Sequence, residues 1–240
     1  MTAFVELWVY LSATPLFGLT ATLAVYVLAA AVYERLGRAP LANPVLWSVA
    51  VLALLISITR TPYPAYFSGA QFIHFLLGPA VVALAWPLWQ RRAELRSRAL
   101  PLLLAGLAGG LAAAGSAVGL GWLLGLEAPL LASLAPKSVT APVAMGLASQ
   151  LGGIAAVAAV FAVLTGLIGA VCAKPLFDAM GIRSPAIRGF AIGTASHGIG
   201  AARALHVHPD AGAYAALALG LQVLLASAVL PMVFRWLLPL

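Results

Sequence analysis

The tightest constraint on this chain is a succession of almost uncharged apolar runs, each near the length that crosses a lipid bilayer. A spanning helix needs about 20 mostly apolar residues at roughly 1.5 Å each. Residues 4–33, 70–89, 100–126, 151–171 and 211–240 reach that length, and residues 44–59 form a shorter sixth run. Composition agrees: 8% of residues are charged and 63% are hydrophobic, where an ordinary globular domain carries about 25% and about 45–50%. Lipid is therefore the solvent of the outer surface. That excludes a soluble enzyme, a nucleic-acid-binding domain and a disordered tail.

The charges read as topology. The net charge is +7, but the arginines occupy the connections between runs, which is not how a phosphate-binding face is built, so nucleic acid is no partner. Arg35 and Arg38 follow the first run; Arg91, Arg92, Arg96 and Arg98 follow the third. Placing both loops on the cytoplasmic side puts the N-terminus outside. Cys172 is the single cysteine, so an intrachain disulfide is impossible, and within its apolar run it reads as a small packing residue. Glu6, with no early lysine or arginine, argues against a secretory signal.

Local signals divide the chain further. Asn43 before Pro44 reads as a helix N-cap with proline at the first helical position. Pro15 predicts a bend in the first run, and Gly78-Pro79 and Pro87 predict interruptions of the third. Two segments depart more strongly. Residues 128–149 hold Pro129, Pro136 and Pro142 with Lys137 among them, and residues 185–205 hold Gly193, Gly198 and Gly200 around Thr194, Ser196 and His197. If residues 128–149 crossed the bilayer, Lys174, Arg183 and Arg188 would fall outside, against the basic-residue rule. A re-entrant hairpin with arms of about ten residues, roughly 15 Å each, keeps them inside and reaches the midplane. The expected fold is all-α: one domain, residues 1–240, with about six spanning helices and two broken or re-entrant segments, 128–149 and 185–205. Eight crossings with two discontinuous helices is the rival. Both arrangements bring Lys137 and His197 to mid-depth. Residues 77–87 and 134–144 share a faint proline-flanked pattern, each followed by a glycine-rich helix. Paired interrupted segments of this kind point to an inverted repeat with a binding site at its breaks.

The first break, Pro136-Lys137-Ser138-Val139-Thr140-Ala141-Pro142, sets a lysine inside an apolar stretch. An ammonium at that depth costs about 2.5–3.5 kcal/mol or more unless paired or wet, and so marks a site by default. Ser138 and Thr140 add hydroxyls, and the prolines expose helix ends whose N–H groups favour an anion. The second break adds Thr194, Ser196, His197 and Arg203. Arg203 can hold a carboxylate in a fork, or anchor at the interface, and His197 is a deep proton-carrier candidate with an ordinary pKa of about 6.5. Gly193 and Gly198 are the expected helix breakers there. No carboxylate falls in the middle of a run, which argues against cation-coupled antiport and against a hydrolase triad built on His197. The chain is therefore not expected to be an enzyme. His206, His208 and Asp210 read as loop residues and His74 as structural, so no metal or other cofactor is expected. Glycine pairs at 106/110, 115/119 and 121/125 read as packing surfaces, within the chain or with a second copy of it. Trp8, Trp47, Trp86, Trp89, Trp122 and Trp236 read as interfacial anchors.

These two segments, Leu134-Ala-Pro-Lys-Ser-Val-Thr-Ala-Pro-Val-Ala144 and Gly193-Thr-Ala-Ser-His-Gly-Ile-Gly-Ala-Ala-Arg203, resemble the LrgB/CidB family of antiholin-like membrane proteins. Weaker likeness covers Asn43-Pro44, Tyr66-Phe67 and residues 77–88, with Gly78 standing where the family pattern suggests glutamine. The resemblance implies a bacterial cytoplasmic membrane protein. It implies one of two activities: regulation of murein hydrolase export and autolysis with a small holin-like LrgA/CidA partner, or transport of small monocarboxylates such as pyruvate, glycolate and glycerate. The plastidial glycolate/glycerate translocator, which fuses LrgA-like and LrgB-like parts, favours the second. Donor-rich helix breaks favour it too, because a passive regulator has no need of Lys137, Ser138, Ser196, His197 and Arg203 at such positions. The lipid bilayer and a small carboxylate are then the expected partners.

Overall fold

A computed structural model describes residues 15–39, 42–83, 85–90 and 92–237, and these are helical throughout apart from short connections. Glu6, Trp8 and Arg91 lie outside the described residues, as do the side chains of His74 and Trp236. The chain forms two compact units, Met1–Ala83 and Leu84–Leu240.

The first unit holds α1 (Pro15–Arg35), α2 (Pro44–Thr59) and α3 (Tyr63–Ala83). Helix α2 starts as its sequence predicts: Asn43 Oδ1 accepts the N–H groups of Val45 and Leu46 at 2.9 and 3.4 Å, with Pro44 in the first turn. It ends on Arg60 in the left-handed conformation, φ 51°. Close contact between α1 and α3 depends on Gly18, where a β-carbon would stand 2.0 Å from the Tyr66 carbonyl oxygen. One turn on, the hydroxyls of Thr22 and Tyr66 meet at 2.6 Å. The third run differs from its sequence reading. Its helix begins at Tyr63 and continues through Gly78-Pro79 to Ala83. A proline removes a single N–H, which one turn of an apolar helix survives. Residues 77–83 therefore do not mirror the turn at 135–140.

The second unit holds two short helices, α4 (Ala85–Gln90) and α5 (Arg92–Ser97), then α6 (Ala99–Leu123), α7 (Ala128–Leu134), α8 (Ala141–Gln150), α9 (Ala155–Ala179), α10 (Pro185–Val207) and α11 (Pro209–Leu237). Among the described residues α1, α6, α9 and α11 contain stretches long and apolar enough to cross a bilayer. Helix α2, with 16 residues, reaches about 24 Å, short of a hydrocarbon core of about 30 Å. The protein is a multi-pass membrane protein. Trp47, Trp86, Trp89 and Trp122 are all exposed, as lipid-interface anchors should be.

Helices α7 and α8 form a hairpin that enters and returns. Leu131 and Leu134 lie against Gly121 near the C-terminal end of α6, while Pro136, Ser138 and Val139 lie beside Gly106 and Gly110 near its middle. The chain then runs back down α8, and the Ile154 N–H donates to Ser133 Oγ at 2.7 Å, tying the end of the return arm to the end of the entry arm. Ser133 is itself bonded to the Pro129 carbonyl at 2.7 Å.

Helix α10 is a second hairpin. Non-helical geometry at Ser196 (φ −128°, ψ 17°) and His197 (φ 40°, ψ −136°) turns the chain. Beyond the turn Gly200 packs on Ile192, and Leu205 packs on Gly212 of α11. Gly189 and Gly193 of the entry arm lie on the carbonyls of Ala211 and Ala215. Entry arm and α11 thus run parallel, with the return arm doubled back between them in sequence. Lipid offers no hydrophobic drive for helix association, so these backbones meet on glycine and alanine. The order hairpin then long helix occurs twice, at residues 128–179 and 185–237, and the two copies enter from opposite ends of α9.

Candidate functional site

Helix α9 shows how the two tips relate. The first hairpin is tied to its N-terminal end through Ser133 and Ile154. The second is tied to its C-terminal end, where Asp178 pairs with Lys174 at 2.8 Å and with Arg188. The two tips reach a common packed core beside α9. His197 Nε2 meets the Ala162 carbonyl oxygen at 2.7 Å, and Ala162 belongs to the same packed core as Val139 and Ala144 of the first hairpin. Helix α6 repeats the convergence: Gly109 faces Thr194, while Gly106 and Gly110 line a cavity with Ser138.

The first tip gathers an ammonium and two hydroxyls within four residues of chain, Lys137 to Thr140. Lys137 is half-buried, and its Nζ donates to Ser138 Oγ at 3.4 Å. Among the described residues no carboxylate pairs with it. Ser138 is buried. Thr140 stands at the N-cap of α8 but makes no capping bond, and its hydroxyl oxygen is buried without a partner. Pro142 lies in the first turn of α8, so it marks a helix start and frees no carbonyl. Pro136 is fully buried in the turn. The ammonium, the two hydroxyls and the N-terminal end of a ten-residue helix are thus neighbours along the chain, and each is a group of the kind that favours an anion.

The second tip is arranged differently from its sequence reading. Gly193 does not break the helix; it lies inside the entry arm, against α11. Gly198 carries no positive φ either. The glycine-type conformation falls on His197, that of the first central residue of a type II′ turn. Its cost is offset by the bond to Ala162 and by a seat cut into α9: a β-carbon at Gly166 would stand 2.9 Å from His197 Cε1, and one at Gly169 would stand 1.7 Å from Ser196 Oγ. Ser196 is thereby sealed against α9. Thr194 donates its hydroxyl to the Phe190 carbonyl at 2.9 Å, within its own helix. Arg203 is half-buried on the return arm, about 9 Å along the helix from His197. His208 Nδ1 accepts the Asp210 N–H at 3.1 Å, which shapes the turn into α11.

A residue that sequence reasoning passed over joins the first tip. Gln222 of α11 is buried, its Oε1 has no hydrogen-bond partner, and it lines a cavity of about 30 Å³ with Ser138, Gly110, Leu225 and Ala226. The signal was present, since Gln222 is the only amide between residues 211 and 234. Gly166 and Gly169 were also missed, because nothing along the chain says which side chain a helical glycine admits.

A family model describing LrgB-like proteins matches residues 22–236, which takes in both hairpins and the long helices around them. The chain belongs to the LrgB-like family. Relatives of this LrgB-like chain include an uncharacterized protein of Haemophilus influenzae, 32% identical over 201 residues (80% of this chain and 84% of that one). YxaC of Bacillus subtilis is 32% identical over 215 residues (88% and 92%). The holin-like protein CidB of Staphylococcus epidermidis is 27% identical over 218 residues (88% and 91%). No solved structure matches the chain.

Proposed function

We propose that this LrgB-like protein is a carrier, not an enzyme, and that it moves small monocarboxylates of the pyruvate, glycolate or glycerate type through the bacterial cytoplasmic membrane. The observation that carries the reading is Lys137: a half-buried ammonium that no carboxylate pairs among the described residues, at the tip of the first hairpin. Lys137 and the start of α8 hold the carboxylate, Ser138 and Thr140 replace its water, and Arg203 attracts it along the return arm. The cavity beside Ser138 has room for a water-sized group. The second tip supplies the wall. His197, whose Nε2–H donates to Ala162, has Nδ1 left to carry a proton.

A second reading is favoured by the names of the relatives. CidB of Staphylococcus epidermidis and Staphylococcus aureus is called holin-like, and a holin-like or antiholin-like protein would regulate murein hydrolase export with a small LrgA/CidA-type partner. Purified protein in liposomes separates the two. Wild type is expected to take up labelled pyruvate or glycolate and to retain an entrapped dye. Lys137→Ala is expected to lose uptake by about tenfold or more, the usual consequence of removing a charged hydrogen-bond donor. Dye release that rises steeply with protein density, with no acid uptake, would establish the holin-like reading instead.

The same reading puts the N-terminus outside and the α9–α10 loop in the cytoplasm. In a Cys172→Ala background, Arg183→Cys is expected to resist a membrane-impermeant thiol reagent in intact cells and to react after permeabilisation. Labelling in intact cells would reverse the orientation.

A further inference from the structure

The cavity at the first tip has one polar side chain that the carrier reading does not use, Gln222. Gln222 is 5% exposed, and its Oε1 lacks a donor. An amide oxygen so buried is costly, and proteins keep one where something else supplies the hydrogen bond. Packing does not require it, since its neighbours along the cavity are Leu225, Ala226, Val229 and Leu230. Helix α6 is nevertheless cut to admit it: a β-carbon at Gly110 would stand 2.1 Å from Gln222 Nε2. Across the cavity, Ser138 accepts from Lys137, which leaves its own proton to donate inward.

We propose that Gln222 is a ligand-binding residue, its Oε1 accepting a hydrogen bond from a hydroxyl lodged between it and Ser138. The hydroxyl belongs to the transported acid or to a water that completes the site. A cavity of about 30 Å³ takes one group of that size. The inference deepens the carboxylate-carrier reading and rests on it for the ligand.

The test compares lactate, which carries a 2-hydroxyl, with pyruvate, which does not. Each is titrated against purified protein by thermal stabilisation and used as a competitor of uptake in liposomes. The variants are Gln222→Leu and Gly110→Ala. The second displaces only the flexible end of Gln222 and touches no backbone at that contact, so it decides alone should Gln222→Leu not fold. Both variants are expected to weaken lactate by about tenfold or more, the effect of leaving a buried partner unmade. Pyruvate left unchanged assigns the hydroxyl to the acid; pyruvate weakened by the same factor assigns it to the water. Variants that bind both acids as wild type does overturn the inference and leave the carrier reading standing. Wild type that binds neither acid overturns both.

Discussion

Replacing Gly189 and Gly193 together by alanine is expected to leave no properly folded protein, and Gly193→Ala alone to cost about 3 kcal/mol or more. Overpacking a tight contact typically costs about 1–3 kcal/mol, because side chains and backbone must move aside. Here the obstacle is backbone. The new β-carbon at Gly193 would stand 2.2 Å from the Ala215 carbonyl oxygen and 2.7 Å from its Cα, and the one at Gly189 would stand 2.1 Å from the Ala211 carbonyl oxygen. Neither neighbour can rotate away, so the entry arm of α10 must lift from α11. Thermal unfolding in detergent, with the monodisperse fraction on gel filtration, measures the effect. Gly146→Ala is the control: nothing lies within 4 Å of its β-carbon, and in mid-helix alanine is expected to be neutral or better by about 0.5–1 kcal/mol. A double variant that melts with wild type would mean that α10 and α11 do not pack as described.

His197→Ala is expected to lower stability by about 2–5 kcal/mol, the range for emptying a buried large side chain. It removes the bond to Ala162 and hollows the seat over Gly166. His197→Gly removes the ring and the β-carbon as well, but suits the positive φ of 40°, so it should be milder by about 1 kcal/mol. Melting temperatures of the two variants, measured side by side, check the order. Equal values would show that the tip is not held in a glycine-type conformation. Uptake should fall in both, since the second tip loses its hold on the middle of α9.

These two results concern contacts that the chain's order of residues does not display. The position of the turn in α10 illustrates why. Gly193 and Gly198 are the residues with the freedom to break a helix, and a local reading selects them. His197 takes the turn because Ala162, 35 positions away, offers its ring a carbonyl, and because Gly166 leaves room for it. A long-range bond outweighs a local preference of about 1 kcal/mol. The third run failed in the opposite direction. Gly78-Pro79 has the composition of a break, yet it stays helical in α3, since no partner rewards opening it.

The candidate site divides in the same way. Lys137, Ser138 and Thr140 were legible because polar groups inside apolar runs are rare, and each stands at the first tip. Thr194 and Ser196 were selected by the same rule, but their hydroxyl groups serve α10 and its fit to α9. Gln222 escaped because a single amide in a long apolar run has no neighbour in sequence to mark it. Its meaning comes from Ser138, on another element, and from Gly110, on a third.

By itself, the sequence determined the solvent, the helical class, the start of α2 and the two segments that interrupt the pattern. All of these follow from local composition, because a lipid environment forces backbone groups into helices and penalises every misplaced charge. Only the tertiary structure decided that both segments return on themselves, that the second tip seats on Ala162 and Gly166 of α9, and that Gln222 lies beside the first. Those outcomes depend on which glycines admit which neighbours, and close packing between distant segments is not encoded in any window of the chain.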